Sequence, residues 1–405
     1  VKETVGKKEK LVERTIHPMT KARTFTEIST LRERNVLALK AAKEKGLRVV
    51  GTYCLYSPAE MVMAAGAIPV MLCGTSQNPV PAAEKVLPRN LCPLIKSSYG
   101  FALTDTCPYF HFADLLIAET TCDGKKKMYE LLGEMKPLHL MQLPQVQDEA
   151  ALGYWGGEMG RLKRRIEEEF AVEITDGKLR DAIRLMNDER RSLKEFQDVC
   201  KQNPAPISGM DMLTVLHNRG FSIDKREAIE LVDRLTAELR EMAVNGVSPF
   251  TPSTPRILLS GVPVGIGSDK AVRLIEECGG SVVCFESCGA YKKVDPVDES
   301  GDPLAALADR YLRIPCSCMS PNQGRFPLVE RLVQEFQADG VIDLTWQGCH
   351  TYNIESYSLK KHIQETTDVP FLQIETDYSE SDTEQLKVRI EAFLEMICRA
   401  KRVGQ

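Results

Sequence analysis

The stretch Leu47-Arg48-Val49-Val50-Gly51-Thr52-Tyr53-Cys54-Leu55-Tyr56-Ser57-Pro58-Ala59-Glu60, continued by Gly66-Ala67-Ile68-Pro69-Val70-Met71-Leu72, decides the fold. Its first six residues form a short run with paired valines, which reads as a buried strand. Ser57 then stands as a helix N-cap with Pro58 at the first helical position, and Gly66 closes that helix. Ile68 to Leu72 is the next strand. Strand, helix and strand with no hairpin signal between them imply a right-handed parallel crossover.

Outward from this unit the alternation continues. Asp114-Leu115-Leu116-Ile117-Ala118 is a third strand, a helix is centred on Lys126, Met128, Tyr129, Leu131 and Leu132, and Leu138-His139-Leu140-Met141 is a fourth strand. Residues 47–150 therefore read as one open α/β domain. Upstream, residues 1–46 read as a helical segment, with apolar residues at helical spacing from Ser29 to Lys43 and Gly46 as its stop. Beyond the domain strand signals vanish, and Gly160 to Phe170 and Arg226 to Leu235 carry helical periodicity, so 151–250 is a helical connector. The run Pro249-Phe250-Thr251-Pro252-Ser253-Thr254-Pro255 breaks the pattern. After it come strand Arg256 to Gly261, helix Ala271 to Glu276, strands Gly280 to Phe285, Gly340 to Leu344 and Val369 to Ile374, and a last helix from Asp382 to Ala400. Residues 251–405 thus repeat the first domain. The expected fold class is α/β, with two similar open parallel-sheet, flavodoxin-like domains joined by the connector.

Length and composition narrow the class. A chain of 405 residues exceeds one small core. With 43% hydrophobic and 27% charged residues it reads as a soluble globular protein, and no apolar run approaches the ~20 residues of a bilayer-spanning helix. The polar start Val1 to Lys10 lacks the apolar centre of a secretory signal, so a cytoplasmic location with no membrane partner is expected. Lysine and arginine total 52 against 57 acidic residues, a net charge of -5 with no concentrated basic face, so nucleic acid is not an expected partner.

The 13 cysteines stand out, because a reducing compartment does not keep many structural disulfides. In open parallel sheets ligands gather beyond the carboxyl ends of the strands, which sorts the thiols by position. Cys54 follows the first strand, Cys92 lies in the loop after the second and Cys122 follows the third. In the second half Cys288 follows the second strand, Cys316 and Cys318 lie in the next long connection, and Cys349 follows the third strand. Cys73 and Cys284 read as strand residues, Cys278 and Cys398 as helix residues and Cys200 as part of the connector, all as small buried hydrophobes. Cys107 fits either group. Close C-x₂-C pairs are absent and Cys316-Ser317-Cys318 is tighter still, so spacing alone leaves a shared metal centre, scattered buried thiols and nucleophilic catalysis all open.

Gly51 to Glu60, Ala64-Ala65-Gly66-Ala67-Ile68-Pro69-Val70, Asn90-Leu91-Cys92-Pro93, Cys122-Asp123, Thr376 to Glu380 and Arg389 to Phe393 together resemble the 2-hydroxyacyl-CoA dehydratase and benzoyl-CoA reductase superfamily. The resemblance covers most of residues 47–400. Pro315-Cys316-Ser317-Cys318-Met319-Ser320-Pro321-Asn322 looks more like its double-cubane-cluster branch, whose members carry two sulfide-bridged [4Fe-4S] cubanes, an [8Fe-9S] group. Ordinary dehydratases hold one [4Fe-4S] cubane by three cysteines, matched here by Cys92, Cys122 and Cys349. A double cubane needs six thiolates, and the two halves supply Cys54, Cys92, Cys122, Cys288, Cys316 and Cys349. Cys318 is an alternative to Cys316.

The resemblance implies an iron–sulfur oxidoreductase, a homodimer, that receives low-potential electrons from a separate ATP-hydrolysing iron–sulfur activator and reduces a small unsaturated substrate. Its enzymatic alternative is a subunit of a 2-hydroxyacyl-CoA dehydratase with one [4Fe-4S] cluster. A non-enzymatic alternative is an electron-storage or cluster-carrier protein. His350, adjoining Cys349, is the candidate proton donor; Glu60, Glu119, Glu286 and Lys96 lie near the same strand-end edge, where a capping or surface role competes. Lys125-Lys126-Lys127 reads as a solvated helix face or part of a docking face. Gly261-Val262-Pro263-Val264-Gly265-Ile266-Gly267 is glycine-rich after a strand but lacks the order of a nucleotide-binding loop, so this chain is not expected to bind ATP.

Overall fold

The computed structural model describes residues 22–403. Two four-stranded sheets, parallel throughout, carry the architecture. The first holds β1 (Val49–Thr52), β2 (Ile68–Met71), β3 (Leu115–Glu119) and β4 (Leu138–Met141) in the order β2-β1-β3-β4. The second holds β5 (Arg256–Gly261), β6 (Ser281–Glu286), β7 (Gly340–Trp346) and β8 (Phe371–Thr376) in the order β6-β5-β7-β8. The same winding occurs twice. Strands β1, β3, β5, β6 and β7 are buried along their whole length, as near-continuous apolar runs covered by helices on both faces must be. In each sheet the chain reverses its winding between the first and third strands, which opens a crevice at their carboxyl ends.

Helices Arg23–Ser29 and Leu31–Glu44 match the later part of the expected N-terminal helical segment, whose residues 1–21 lie outside the described residues. Ser57 differs from its expected role: Pro58 occupies the N-cap of helix Ala59–Ala64, and the Ser57 hydroxyl donates to the buried Glu119 carboxylate instead.

The connector is four helices, Glu149–Phe170, Asp176–Asp198, Gly209–Arg219 and Lys225–Val244, each with a side-chain cap, from Asp148, Thr175, Ser208 and Asp224 in turn. It does more than span a gap. Asp176–Asp198 packs on Ala59–Ala64 of the first half. Gly209 lies against β6, where an added Cβ would sit 2.6 Å from the Val282 side chain, and its N–H donates to Glu276 at 2.6 Å.

The glycine-rich loop after β5 is explained by close approach. A Cβ on Gly265 would lie 2.7 Å from His217 of the connector, and one on Gly267 would lie 2.9 Å from the Thr75 carbonyl of the first half. The loop joins the halves at close range. Among the described residues no helix is long and apolar enough to cross a membrane.

Candidate metal centre

Strand ends put the thiols on facing edges. Cys92, Cys122 and Cys349 are each the N-cap residue of a helix, Pro93–Leu103, Asp123–Gly133 and His350–Thr366, and none of them closes a side-chain cap hydrogen bond. The amides of Leu94 and Ile95 at Cys92, of Lys125 at Cys122 and of Tyr352 at Cys349 favour the thiolate, as a helix N-terminus does for any anion. Gly348 makes the meeting possible: its φ is +73°, and an added Cβ would lie 2.6 Å from the Asn90 carbonyl and 3.2 Å from the Cys92 nitrogen. The Cys349 turn therefore rests directly on the Cys92 turn.

The sulfurs interact across the halves. The Cys92 thiol hydrogen-bonds the Cys349 sulfur, which lowers Cys349 to about 7 and raises Cys92 well above the usual thiol value. Cys318 does the same for Cys316, lowering it to about 6, with Lys292 and Lys125 adding to the effect against burial. Burial raises Cys54 well above the usual value and Cys288 to about 12, and each lies within the electrostatic reach of Cys316. Burial also raises Cys122, which senses Cys349 and Cys316. All seven thiols singled out from the sequence thus belong to one cluster of mutually interacting groups. Ser320 N–H donates to the Gln145 carbonyl at 2.8 Å and Gln145 reaches Thr121 at 3.0 Å, which ties the Cys316–Cys318 loop to the turn before Cys122.

An eighth thiol joins them. β2 ends at Met71, so Cys73 lies beyond the strand rather than in it, two residues past its end as Cys288 is two past the end of β6. Its thiol donates to the Tyr53 carbonyl at 2.8 Å, and it faces the same cavity as Cys54 and Cys288. The sheet repeat pairs Cys288 with Cys73, a signal that a one-residue overextension of β2 obscured. Of the remaining thiols Cys284, in β6, and Cys200, in a turn after Asp198, are buried as expected, whereas Cys398, in the last helix, and Cys278, just past the end of its helix rather than within it, are only half-buried; Cys107 is the N-cap residue of a short helix leading into β3.

Two cations serve the cluster. Lys125 turns inward, donates to the Tyr53 carbonyl at 3.2 Å and keeps its charge against burial because Cys54, Tyr129, Cys73 and Cys122 surround it. Lys126 and Lys127 face solvent, so only part of that run is the expected exposed face. From the other half comes Lys292, fully buried, which meets Glu286 and the Tyr352 hydroxyl at 2.8 Å each.

Of the four further candidates only Glu119 stays uncommitted. Burial raises it to about 7, Ser57 donates to Oε1, and Oε2 has no hydrogen-bond partner. Glu60, despite burial, is held below the carboxylate range by Arg190 and Tyr311, and Glu286 likewise by Lys292 and Arg325. Lys96 pairs with Glu84 at 2.8 Å. His350 is exposed at the first turn of its helix.

Among the described residues no three His, Cys, Asp or Glu side chains close on one point as ligands of a single ion. A polynuclear iron–sulfur group requires a different arrangement, buried thiols spread so that each meets its own iron, and the donor set here fits it. Protons on the deep thiols must leave when such a group binds, and the amides, Lys125 and Lys292 are placed to stabilise the charge that remains.

A family profile described as 2-hydroxyglutaryl-CoA dehydratase, D-component, matches residues 54–397. The Escherichia coli protein YjiM, whose dehydratase-subunit name is provisional, is 49% identical over 375 residues, 92% of this chain and 97% of its own length. The (R)-phenyllactyl-CoA dehydratase beta subunit of Clostridium sporogenes is 24% identical, over 89% of this chain and 94% of its own. A benzoyl-CoA reductase subunit of Thauera aromatica is 24% identical, over 93% and 96%.

Proposed function

Since the chain belongs to the 2-hydroxyglutaryl-CoA dehydratase D-component family, we propose that it is an iron–sulfur reductase whose double-cubane [8Fe-9S] group is held by Cys54, Cys92, Cys122, Cys288, Cys316 and Cys349. In this reading an ATP-hydrolysing iron–sulfur partner delivers single low-potential electrons, and a small unsaturated molecule is reduced. The observation that supports it is the interaction of seven thiols from both halves of one chain in a single cleft.

When bound, the group supplies one-electron chemistry at low potential. The chain's own residues hold and tune it. Lys125 and Lys292 offset thiolate charge from opposite sides, and the three helix N-termini add to that field. Glu119, raised to about 7, holds a proton at Oε2 near neutral pH, within the electrostatic reach of Cys316. Of the two thiols in the Cys316-Ser317-Cys318 loop we take Cys316 as the ligand, since its thiolate is the favoured one, with Lys292 and Lys125 in electrostatic reach, while the Cys318 thiol hydrogen-bonds the Tyr56 hydroxyl at 3.8 Å.

One feature favours a second reading, a dehydratase subunit with a single [4Fe-4S] cluster: Cys92, Cys122 and Cys349 alone share the N-cap position on a long helix. Iron and acid-labile sulfide per chain, measured on anaerobically purified protein and on Cys122→Ser and Cys316→Ser, separate the two. About eight irons and nine sulfides, lost in both variants, support the double cubane; about four irons unaffected by Cys316→Ser select the dehydratase subunit.

A further inference from the structure

The cleft continues past Cys54, Cys73 and Cys288 into an internal cavity of about 130 Å³ walled by both halves and by the connector. Its lining carries the cations Lys125, Arg190, Arg219, Lys225, Lys293 and Arg310 and no carboxylate. Lys125 belongs to the thiols. Behind the other five stand two carboxylates: Glu60 pairs with Arg190, and Glu189 lies 3.2 Å from Lys225 and 3.3 Å from Arg219. Four buried cations, Arg190, Arg219, Lys225 and Arg310, and the half-buried Lys293 against two carboxylates leave a surplus of positive charge in a largely desolvated space, a costly arrangement unless a counter-ion enters.

The surplus also has uncommitted donors. Arg219 is 2% exposed; its Nη1 faces Glu189 and its Nη2 donates to the Gly289 carbonyl at 3.1 Å, but its Nε has no hydrogen-bond partner; Arg190 is 1% exposed with Nε in the same state. The Lys293 ammonium makes no hydrogen bond and no ion pair within 4 Å among the described residues, unlike that of its neighbour Lys292. Burial, with Arg219, Lys225 and Arg190 adding to it, lowers Lys293 to about 7. The His217 ring at the far wall is kept neutral by burial.

We infer that this cavity is an anion pocket that holds the carboxylate or phosphate of a small free acid, with Lys293 and Arg219 as its contacts, and sets the rest of that molecule beside Cys54 and Cys288. The inference rests on the reductase reading and names its substrate class: a small unsaturated acid. A whole coenzyme A exceeds the enclosed part of the cavity, so competition between coenzyme A and a small free acid is what tests the substrate class.

Isothermal titration of the anaerobically purified protein with acrylate, its neutral isostere acrylamide, inorganic phosphate and coenzyme A tests this, with iron counted on the same samples. Acrylate and phosphate are expected to bind, acrylamide at least about tenfold more weakly than acrylate. Lys293→Met, which strands no partner, should weaken both anions by about tenfold or more at unchanged iron content, and the surface control Lys127→Met should not. Equal affinity of wild type and Lys293→Met, equal binding of acrylate and acrylamide, or no anion binding at about 10 mM overturns the pocket. Coenzyme A binding that acrylate displaces and Lys293→Met weakens overturns the free-acid assignment. Anion binding by protein without iron would sink the reductase reading and leave the pocket standing, whereas iron without anion binding would do the reverse.

Discussion

Lys125 and Lys126 are neighbours in sequence and opposites in environment. Lys125 reaches the Tyr53 carbonyl among Cys54, Cys73 and Cys122, while Lys126 pairs with the 93% exposed side chain of Asp123. A unit charge in a partly desolvated cleft acts on a nearby redox group by roughly 1–2 kcal/mol, about 50–100 mV for one electron. Lys125→Met is therefore expected to make the bound group harder to reduce by that amount in a spectroscopically monitored redox titration, with iron retained. Lys126→Met should leave the potential unchanged; equal shifts in both would deny Lys125 its place. This contrast was invisible in Lys125-Lys126-Lys127, because which face of a helix turns inward depends on what packs there. Thiol placement was far more legible. Counting residues past each strand found Cys54, Cys92, Cys122, Cys288, Cys316 and Cys349, and missed Cys73 only because Leu72, apolar and buried, extends the β2 pattern past its last ladder residue. The uncommitted carboxyl of Glu119 depends on which partners meet Glu60 and Glu286, namely Arg190, Lys292 and Arg325, all distant in sequence.

At the scale of elements, the site is made by turns held at fixed distances, and Gly348 is the tightest of them. Gly348→Ala puts a methyl 2.6 Å from the Asn90 carbonyl at a φ of +73°, so the Cys349 helix start must move away from the Cys92 helix start. The expected cost is about 1–3 kcal/mol, with a fall in bound iron larger than that stability loss explains, read by denaturant unfolding and iron content together. A second junction titrates. Glu276 takes the Gly209 N–H at the start of a connector helix, and burial raises it from 4.5 to about 7. The folded chain then binds more protons than the unfolded one between those values, so this group's stabilising contribution is full below about pH 4.5 and is lost as pH rises to about 7. Glu276→Gln removes the loss: relative to wild type it should gain on the order of 1 kcal/mol between about pH 5 and pH 8 in urea unfolding. A constant difference across that range would mean the carboxyl does not titrate there. The succession of strands and their parallel sense followed from short-range patterns such as Val49 to Thr52, while the cap expected at Ser57 did not, because that hydroxyl turns to the buried Glu119. The Glu276 contact did not, since nothing in a helix's own sequence says what its N-terminus meets.

For the whole molecule, the consequential element is the connector. Helix Asp176–Asp198 packs on the first half, helix Gly209–Arg219 packs on β6, and between them they supply Arg190 and Arg219 to the cavity. The connector is thus a wall of the site rather than a tether, and the halves are held by packing more than by the chain passing between them. Cutting the backbone between Gly246 and Val247 tests this. Gly246 has a φ of +70° with open space about it, and Val244 is 87% exposed, so the break disturbs no packing. The co-expressed pieces should copurify as one complex. Cys54, Cys73, Cys92 and Cys122 lie on one piece and Cys288, Cys316, Cys318 and Cys349 on the other, so a centre shared by both halves requires the complex to carry the full iron content and either piece alone almost none. About four irons on the first piece alone would mean that its thiols suffice for a cluster, and the interdomain cleft would then be a meeting of two surfaces without a shared centre.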